Sequence, residues 1–193
     1  MSQTQESTKT IVLDRDGVIN KDSPNYIKSH EEWIPIPGSL EAISSLHQAR
    51  FYFLIATNQS GLARGLFDEF ELAKMHHKLC SMVEEEGGFV SGIFYCPHSA
   101  DDECECRKPN TGMLIQAENE LGVSLDGSPF VGDSLKDLQA ATAHGMRPIL
   151  VRTGNGSATE QQIDGTNLSH VSIYDDLQQA VVCLLYTSPS PRD

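Results

Sequence analysis

Ile11-Val12-Leu13-Asp14-Arg15-Asp16-Gly17 is the stretch on which the reading of this chain turns. Three consecutive apolar residues have the character of a strand buried on both faces of a sheet. Two carboxylates follow at once, ahead of a glycine that permits a sharp turn. Ligands of open α/β sheets bind just beyond the carboxyl ends of the strands, so Asp14 and Asp16 stand where a site belongs. Two aspartates one residue apart can face different partners. That suits covalent phosphoryl transfer, with one carboxylate as nucleophile and the other as general acid and base. Taken alone, the pair describes solvated loop residues or metal ligands equally well.

Working outward, the same grammar recurs. Residues 51–56, 92–96, 130–131 and 149–151 are short, apolar and bounded by turns, and each reads as a buried parallel strand. Helical periodicity fills residues 39–48, 68–86, 111–121 and 135–144, with Gly122 and Gly145 at the positions of helix-terminating glycines, and another helix begins within 174–182. Alternation of this kind predicts an α/β fold, a three-layer α/β/α Rossmann-like parallel sheet with right-handed crossovers. A length of 193 residues suits one domain, and no repeat or long linker divides it.

Three more strand ends carry polar residues. Thr57-Asn58-Gln59-Ser60-Gly61 offers a hydroxyl, amides and backbone N–H groups suited to phosphate oxygens, or an ordinary polar turn. Arg107-Lys108-Pro109 opens a helix, where a held lysine would neutralise charge developing on a phosphoryl group. Gly132-Asp133-Ser134 with Asp137 can complete an all-oxygen magnesium site with Asp14, or Ser134 or Asp133 can simply cap the next helix. Four such signals on successive strand ends reinforce one another.

Composition narrows the partners. Acidic residues outnumber basic ones 27 to 14, a formal charge of −13, which repels nucleic acid and anionic membranes. The polar amino terminus has no apolar signal region and no apolar run is long enough to cross a bilayer, so a cytoplasmic address without membrane contact is expected. Cysteines in that compartment are metal ligands or buried thiols before they are disulfides. Cys96, His98, Cys104 and Cys106 place three sulfurs and one imidazole in a short acidic loop, fitting a closed tetrahedral zinc site, with free thiols or a redox pair as the alternative. Zinc here would order the loop that leads straight into Arg107 and Lys108.

Together, Asp14-x-Asp16, Thr57, Lys108 and Gly132-Asp133 resemble the four motifs of haloacid dehalogenase superfamily phosphatases, over nearly the whole chain. The resemblance implies Asp14 as nucleophile forming an aspartyl-phosphate, Asp16 as general acid and base, and Thr57 and Lys108 on the phosphoryl group. It also implies magnesium held by Asp14, the backbone carbonyl of Asp16, and Asp133. An acid at Asp16 favours phosphate chemistry over dehalogenation. The close spacing of Asp14, Thr57 and Lys108 leaves no room for a cap domain, so an open pocket shaped by loops is expected. The zinc signature is similar to two groups, the heptose 1,7-bisphosphate 7-phosphatases and the histidinol-phosphate phosphatases. The segments 58–65 and 106–114 look more like the heptose group. That resemblance implies removal of the C7 phosphate on the way to ADP-heptose and lipopolysaccharide core, with Asp22, Ser23, Pro24, Asn25, Asn58, Gln59, Ser60 and Arg107 lining the substrate pocket. Ser134, also read as substrate-binding, stands where several relatives carry lysine, so a direct cationic contact is lost there and the second phosphate is expected to be held differently; magnesium, Lys108, Arg107 and Arg64 are the local set expected to receive the anionic substrate. A phosphorylated sugar as the only partner and a monomeric state are expected. A phospho-receiver or zinc-bearing binding module is the reading of a different class.

Two further expectations concern the remainder. His76, His77 and Cys80 on the 68–86 helix are read as packing or surface residues rather than ligands. Residues 183–193 match one translated frame of a short-read library adapter, residue for residue, which makes 1–182 the phosphatase domain, with its zinc loop at 96–106, and the tail non-native.

Overall fold

The computed structural model describes residues 9–187. Six strands form one parallel sheet: β1 (Thr10–Leu13), β2 (Tyr52–Asn58), β3 (Gly92–Cys96), β4 (Pro129–Gly132), β5 (Arg147–Val151) and β6 (Ser172–Tyr174), in the order β3-β2-β1-β4-β5-β6. Helices α1 (Ser39–Gln48), α2 (Glu69–Glu85), α3 (Gly112–Leu121), α4 (Leu135–Ala143), α5 (Gly156–Ile163) and α6 (Leu177–Thr187) lie between and after the strands. This is the expected three-layer α/β/α arrangement, and no separate cap domain is inserted among the described residues.

Side chains alternating across the pleat build the two layers. Ile11 and Leu13, Phe53 and Ile55, Val131, and Ile149 and Val151 join a core with α1, α2 and α6, in which Trp33 and Leu46 are fully buried. Val12, Leu54, Ala56 and Phe130 face the other way, onto Met113, Leu114 and Ala117 of α3 and Ala140 and Ala141 of α4. Because both faces are covered, the strands read as continuous apolar runs in the sequence.

The chain winds outward from β1 in one direction through β2 and β3, and in the other through β4, β5 and β6. Adjacent strands β1 and β4 are therefore where the winding reverses, and a crevice opens beyond their carboxyl ends.

Several boundaries differ from expectation. Thr57 and Asn58 are the last residues of β2 rather than a turn after it, and Asp68 and Thr111 are N-caps rather than first helical residues. Helix α5 and strand β6 are additional elements. Tyr174 ends β6, so the last helix starts at Leu177. That helix continues to Thr187; Leu184 is buried, and Tyr174 Oη donates to Cys183 Sγ at 3.0 Å. The rest of the expected non-native tail, residues 188–193, lies outside the described residues. No helix among the described residues is long and apolar enough to cross a membrane.

Candidate active site

The loop after β1 is pinned to β4 by Asp14 N–H donating to Val131 O at 2.9 Å, and it then turns tightly, with the Ile19 and Asn20 N–H groups returning to Arg15 O. Gly17 makes that turn at φ 84°, and an added Cβ would run into the Asp133 carboxylate and Gly154, so only glycine lets the β1 and β4 loops approach this closely. Asp14 and Asp133 are thereby brought together with Asp137 of α4, one carboxylate oxygen of each lying within 4.8 Å of the other two.

Lys108 is set into this acidic cluster. Its Nζ lies 2.9 Å from Asp14 Oδ1 and 2.6 Å from Asp137 Oδ1, and it donates to Ala56 O at 2.8 Å. Asn58 positions the lysine by its main chain: Lys108 N–H donates to Asn58 Oδ1 at 3.0 Å, and Asn58 Nδ2 donates back to Lys108 O at 3.2 Å. The Asn58 amide, expected on the substrate, thus clamps Lys108 while bordering the cavity. Asp137 also accepts from Ser134 N–H and Oγ–H, at 3.0 and 2.7 Å, which closes the start of α4 and explains the capping alternative for Ser134.

Electrostatics follow from this crowding. Burial, then the charge of Asp137, pushes the Asp14 carboxyl well above the ordinary carboxylate range, with Lys108 opposing. Burial and Asp137 raise Asp133 to about 7. Three buried carboxylates facing one lysine are short of positive charge, and their hard oxygen donors fit magnesium. Asp16 is the contrast. Burial opposes its ionisation, but the Arg15 charge and hydrogen bonds from Asn20 and Gln59 outweigh this and hold its carboxyl below the ordinary range.

A cavity of about 780 Å³ opens over these groups. Asp22, Ser23, Pro24, Thr57, Asn58, Gln59, Ser60, Arg107 and Ser134 border it as expected. Asn25 does not; it borders a neighbouring depression with Tyr26 and Lys28. Arg64 does not either; its guanidinium lies over the ring of Tyr26, 5.9 Å from the centroid. Gln59 is nearly buried, with its amide bonded to Asp16, Thr57 and Arg15. Sequence reasoning missed Asn155, whose N–H donates to Asp133 Oδ2 at 2.7 Å and whose Nδ2 reaches Asp22 Oδ2 at 3.0 Å. The signal was present: Gly154-Asn155-Gly156 follows the apolar 149–151 run, one more polar turn at a strand end.

Cys96, His98, Cys104 and Cys106 also converge. Their Sγ atoms lie 3.2 Å (Cys96 to Cys106) and 3.6 Å (Cys96 to Cys104, Cys104 to Cys106) apart, and His98 Nδ1 lies 3.2 Å from Cys106 Sγ and 3.7 Å from Cys96 Sγ. A zinc ion with Zn–S bonds of about 2.3 Å sets tetrahedral S···S edges of about 3.8 Å, so these four donors fit one such ion. The loop reaches the cavity through Arg107, whose Nη1 donates to His98 O at 3.1 Å.

Residues 105–180 match the HAD-hydrolase-like family model. D-glycero-beta-D-manno-heptose-1,7-bisphosphate 7-phosphatase of Pseudomonas aeruginosa is 50% identical over 181 residues, covering 93% of this chain and 99% of the relative. This chain belongs to the heptose-bisphosphate phosphatase family of HAD-like hydrolases. Another family member, from Bordetella bronchiseptica, is 53% identical over 154 residues, 80% of this chain and 86% of that one. Among solved structures, the B. bronchiseptica D,D-heptose 1,7-bisphosphate phosphatase complexed with magnesium and phosphate has a TM-score of 0.89 at 48% identity, covering 94% of this chain and 100% of that one. The Burkholderia thailandensis phosphatase has a TM-score of 0.71 at 38% identity, covering 92% and 99%. The family likeness thus covers more than nine tenths of the chain.

Proposed function

We propose that this chain is a magnesium-dependent phosphatase that removes the C7 phosphate of D-glycero-β-D-manno-heptose 1,7-bisphosphate, leaving heptose 1-phosphate. The observation that carries the reading is the convergence of Asp14, Lys108 and Asp133 at the β1/β4 crevice in a chain 50% identical to a phosphatase of that name.

Asp14 is the nucleophile. One of its carboxylate oxygens attacks phosphorus, the bond to the C7 oxygen breaks, and the departing alkoxide takes a proton from Asp16. Water then attacks the aspartyl-phosphate and gives its proton to Asp16, releasing phosphate and restoring Asp14. The Arg15 charge and the hydrogen bonds from Asn20 and Gln59 favour the ionised form of Asp16, the form required for the second step; a dianionic phosphoryl group arriving beside it favours the protonated form required for the first. Thr57 Oγ1 accepts from Gln59 Nε2, which leaves its own hydroxyl proton for a phosphoryl oxygen, and Lys108 supplies positive charge to the same group. Asp14 and Asp133 side chains with the Asp16 carbonyl would hold magnesium, which offsets the repulsion between a carboxylate and a phosphate dianion. Cys96, His98, Cys104 and Cys106 would hold structural zinc that orders the loop carrying Arg107 and Lys108.

Arg107, Ser134 and residues 22–24 and 58–60 would form the substrate surface, Asn58 also clamping Lys108, while Asn25 would act from the neighbouring depression. We infer a cytoplasmic monomer in ADP-heptose and lipopolysaccharide core synthesis, with residues 183–193 non-native. Size-exclusion light scattering tests the monomeric state, and sequencing of the source gene tests the tail. Activity is tested by phosphate release with magnesium, comparing kcat/KM on the heptose bisphosphate and histidinol phosphate. A higher value for the heptose substrate, abolished in Asp14→Asn, is expected; preference for histidinol phosphate would overturn the substrate, and turnover unchanged in Asp16→Asn would favour a receiver.

A further inference from the structure

Arg15 sits between the two aspartates and is fully buried, a rare place for a guanidinium. Its Nε and Nη2 fork onto Asp16, to Oδ1 and Oδ2 at 3.0 Å each, and Nη2 also donates to Gln59 Oε1 at 3.1 Å. The outer nitrogen, Nη1, meets His76 Nε2 of α2 at 3.3 Å. Arginine is donor only, so His76 Nε2 accepts, and the ring is neutral with its proton on Nδ1. Tyr95 of β3 packs on that ring at 5.8 Å between centroids, tilted by 60°. Gln59 closes the other side by donating to Asp16 Oδ2 at 2.9 Å and Thr57 Oγ1 at 2.8 Å, and Asn20 Nδ2 donates to Asp16 Oδ1 at 2.9 Å.

A forked pair with Asp16 already matches the charge of Arg15. A neutral imidazole adds direction rather than neutralisation: it fixes the third corner of the guanidinium, so the plane of Arg15, and with it the plane of the Asp16 carboxylate, has one orientation. We propose that His76 is a positioning residue for the proton transfers of Asp16, acting through Arg15. The proposal rests on the reading of Asp16 as general acid and base given above. It makes α2 and β3, which contribute none of the reacting groups assigned above, part of the machinery that aims the proton.

The test exploits the leaving group. An alkyl phosphate needs a proton on its departing oxygen, whereas p-nitrophenyl phosphate releases a stable phenolate unaided, so kcat/KM on the two esters separates loss of proton delivery from general damage. The magnesium-loaded full chain is assayed on the heptose bisphosphate and p-nitrophenyl phosphate. Asp16→Asn comes first: selective loss on the alkyl ester supports the acid role, and an absence of selectivity overturns that role and this proposal with it. With the acid role established, His76→Leu is expected to lose about tenfold on the alkyl ester, a part of the roughly 10²–10⁴ that general acid–base catalysis contributes, and less than about twofold on the aryl ester. His76→Gln, which returns a carbonyl acceptor for Arg15 Nη1, is expected to recover most of the loss. Equal losses on both esters, no loss on either, or a glutamine variant no better than leucine would each overturn the proposal while leaving the phosphatase reading intact.

Discussion

Lys108 and Asp137 are joined at 2.6 Å, Nζ to Oδ1, with both side chains almost wholly out of water. The pair links the Arg107-Lys108-Pro109 turn to α4 and aims the lysine at Asp14, 2.9 Å away. Removing one partner of a buried pair strands the other's charge, at a cost of about 3–5 kcal/mol. Lys108→Met is therefore expected to lower unfolding free energy at neutral pH by about that amount, read from urea midpoints, and to reduce kcat by roughly 10²–10³, as loss of a preorganised electrostatic donor does.

Magnesium is expected to stabilise the protein, because a divalent cation relieves the mutual repulsion of Asp14, Asp133 and Asp137. At a hundredfold excess over Kd the stabilisation is about 2.7 kcal/mol, a rise in Tm of very roughly 5–10 °C for a chain of this size. Asp133→Asn should abolish the rise in a thermal melt with and without magnesium. Calcium at the same concentration tests whether the site discriminates by size.

Zinc removal should act at a distance. The four-donor cluster fixes the loop whose main chain at His98 holds Arg107. Cys104→Ser, or dialysis against a chelator, is expected to release about one zinc per chain by metal analysis and to raise KM for the bisphosphate several-fold. Protease cutting within residues 99–106 should appear at the same time. Unchanged kinetics in zinc-free protein would refute the link between the loop and the cavity.

His76 gives a pH signature. Burial, then the positive charge of Arg15, lowers its pKa from the ordinary value to about 3, despite the opposing charge of Asp16. The folded value lies below the unfolded one, so the unfolded chain takes up this proton first as pH falls. The associated stability is full above about pH 6.5, the unperturbed histidine value, and is lost progressively toward pH 3. His76→Gln should flatten the fall between pH 7 and pH 5, measured as urea midpoints alongside the unmutated chain.

Much of this was legible in the sequence because burial on both sheet faces writes continuous apolar runs, and strand ends then expose their polar residues. Ile11 to Leu13 followed by Asp14 carried that signal, as did the 149–151 run. Strand β6 did not, because Ser172, Ile173 and Tyr174 lie at the sheet edge and are only partly covered or exposed. Helix α5 did not either, since only Gly156, Thr159 and Ile163 of its eight residues are buried and no apolar stripe marks it. At the site, Asp14 and Asp133 were visible as polar residues directly after strands and Lys108 as a lysine in a turn ahead of a helix, although it lies twelve residues past the end of β3, whereas the partnership of Arg15, Gln59 and His76 was not visible. Those three are distant in sequence and meet only when α2 folds over the β1 loop, and a lone histidine on a helix gives no sign of that. Asn58 and Ser134 were found, but much of their hydrogen bonding turns inward, to Lys108 and Asp137.

The central claim is which phosphate leaves and by which carboxylate. Phosphorus NMR of D-glycero-β-D-manno-heptose 1,7-bisphosphate incubated with the magnesium-loaded protein tests it most directly. Loss of the C7 signal with the C1 signal retained, and no loss at all with Asp14→Asn, is the expected result. Loss of the C1 phosphate, or turnover that survives Asp14→Asn, would contradict it.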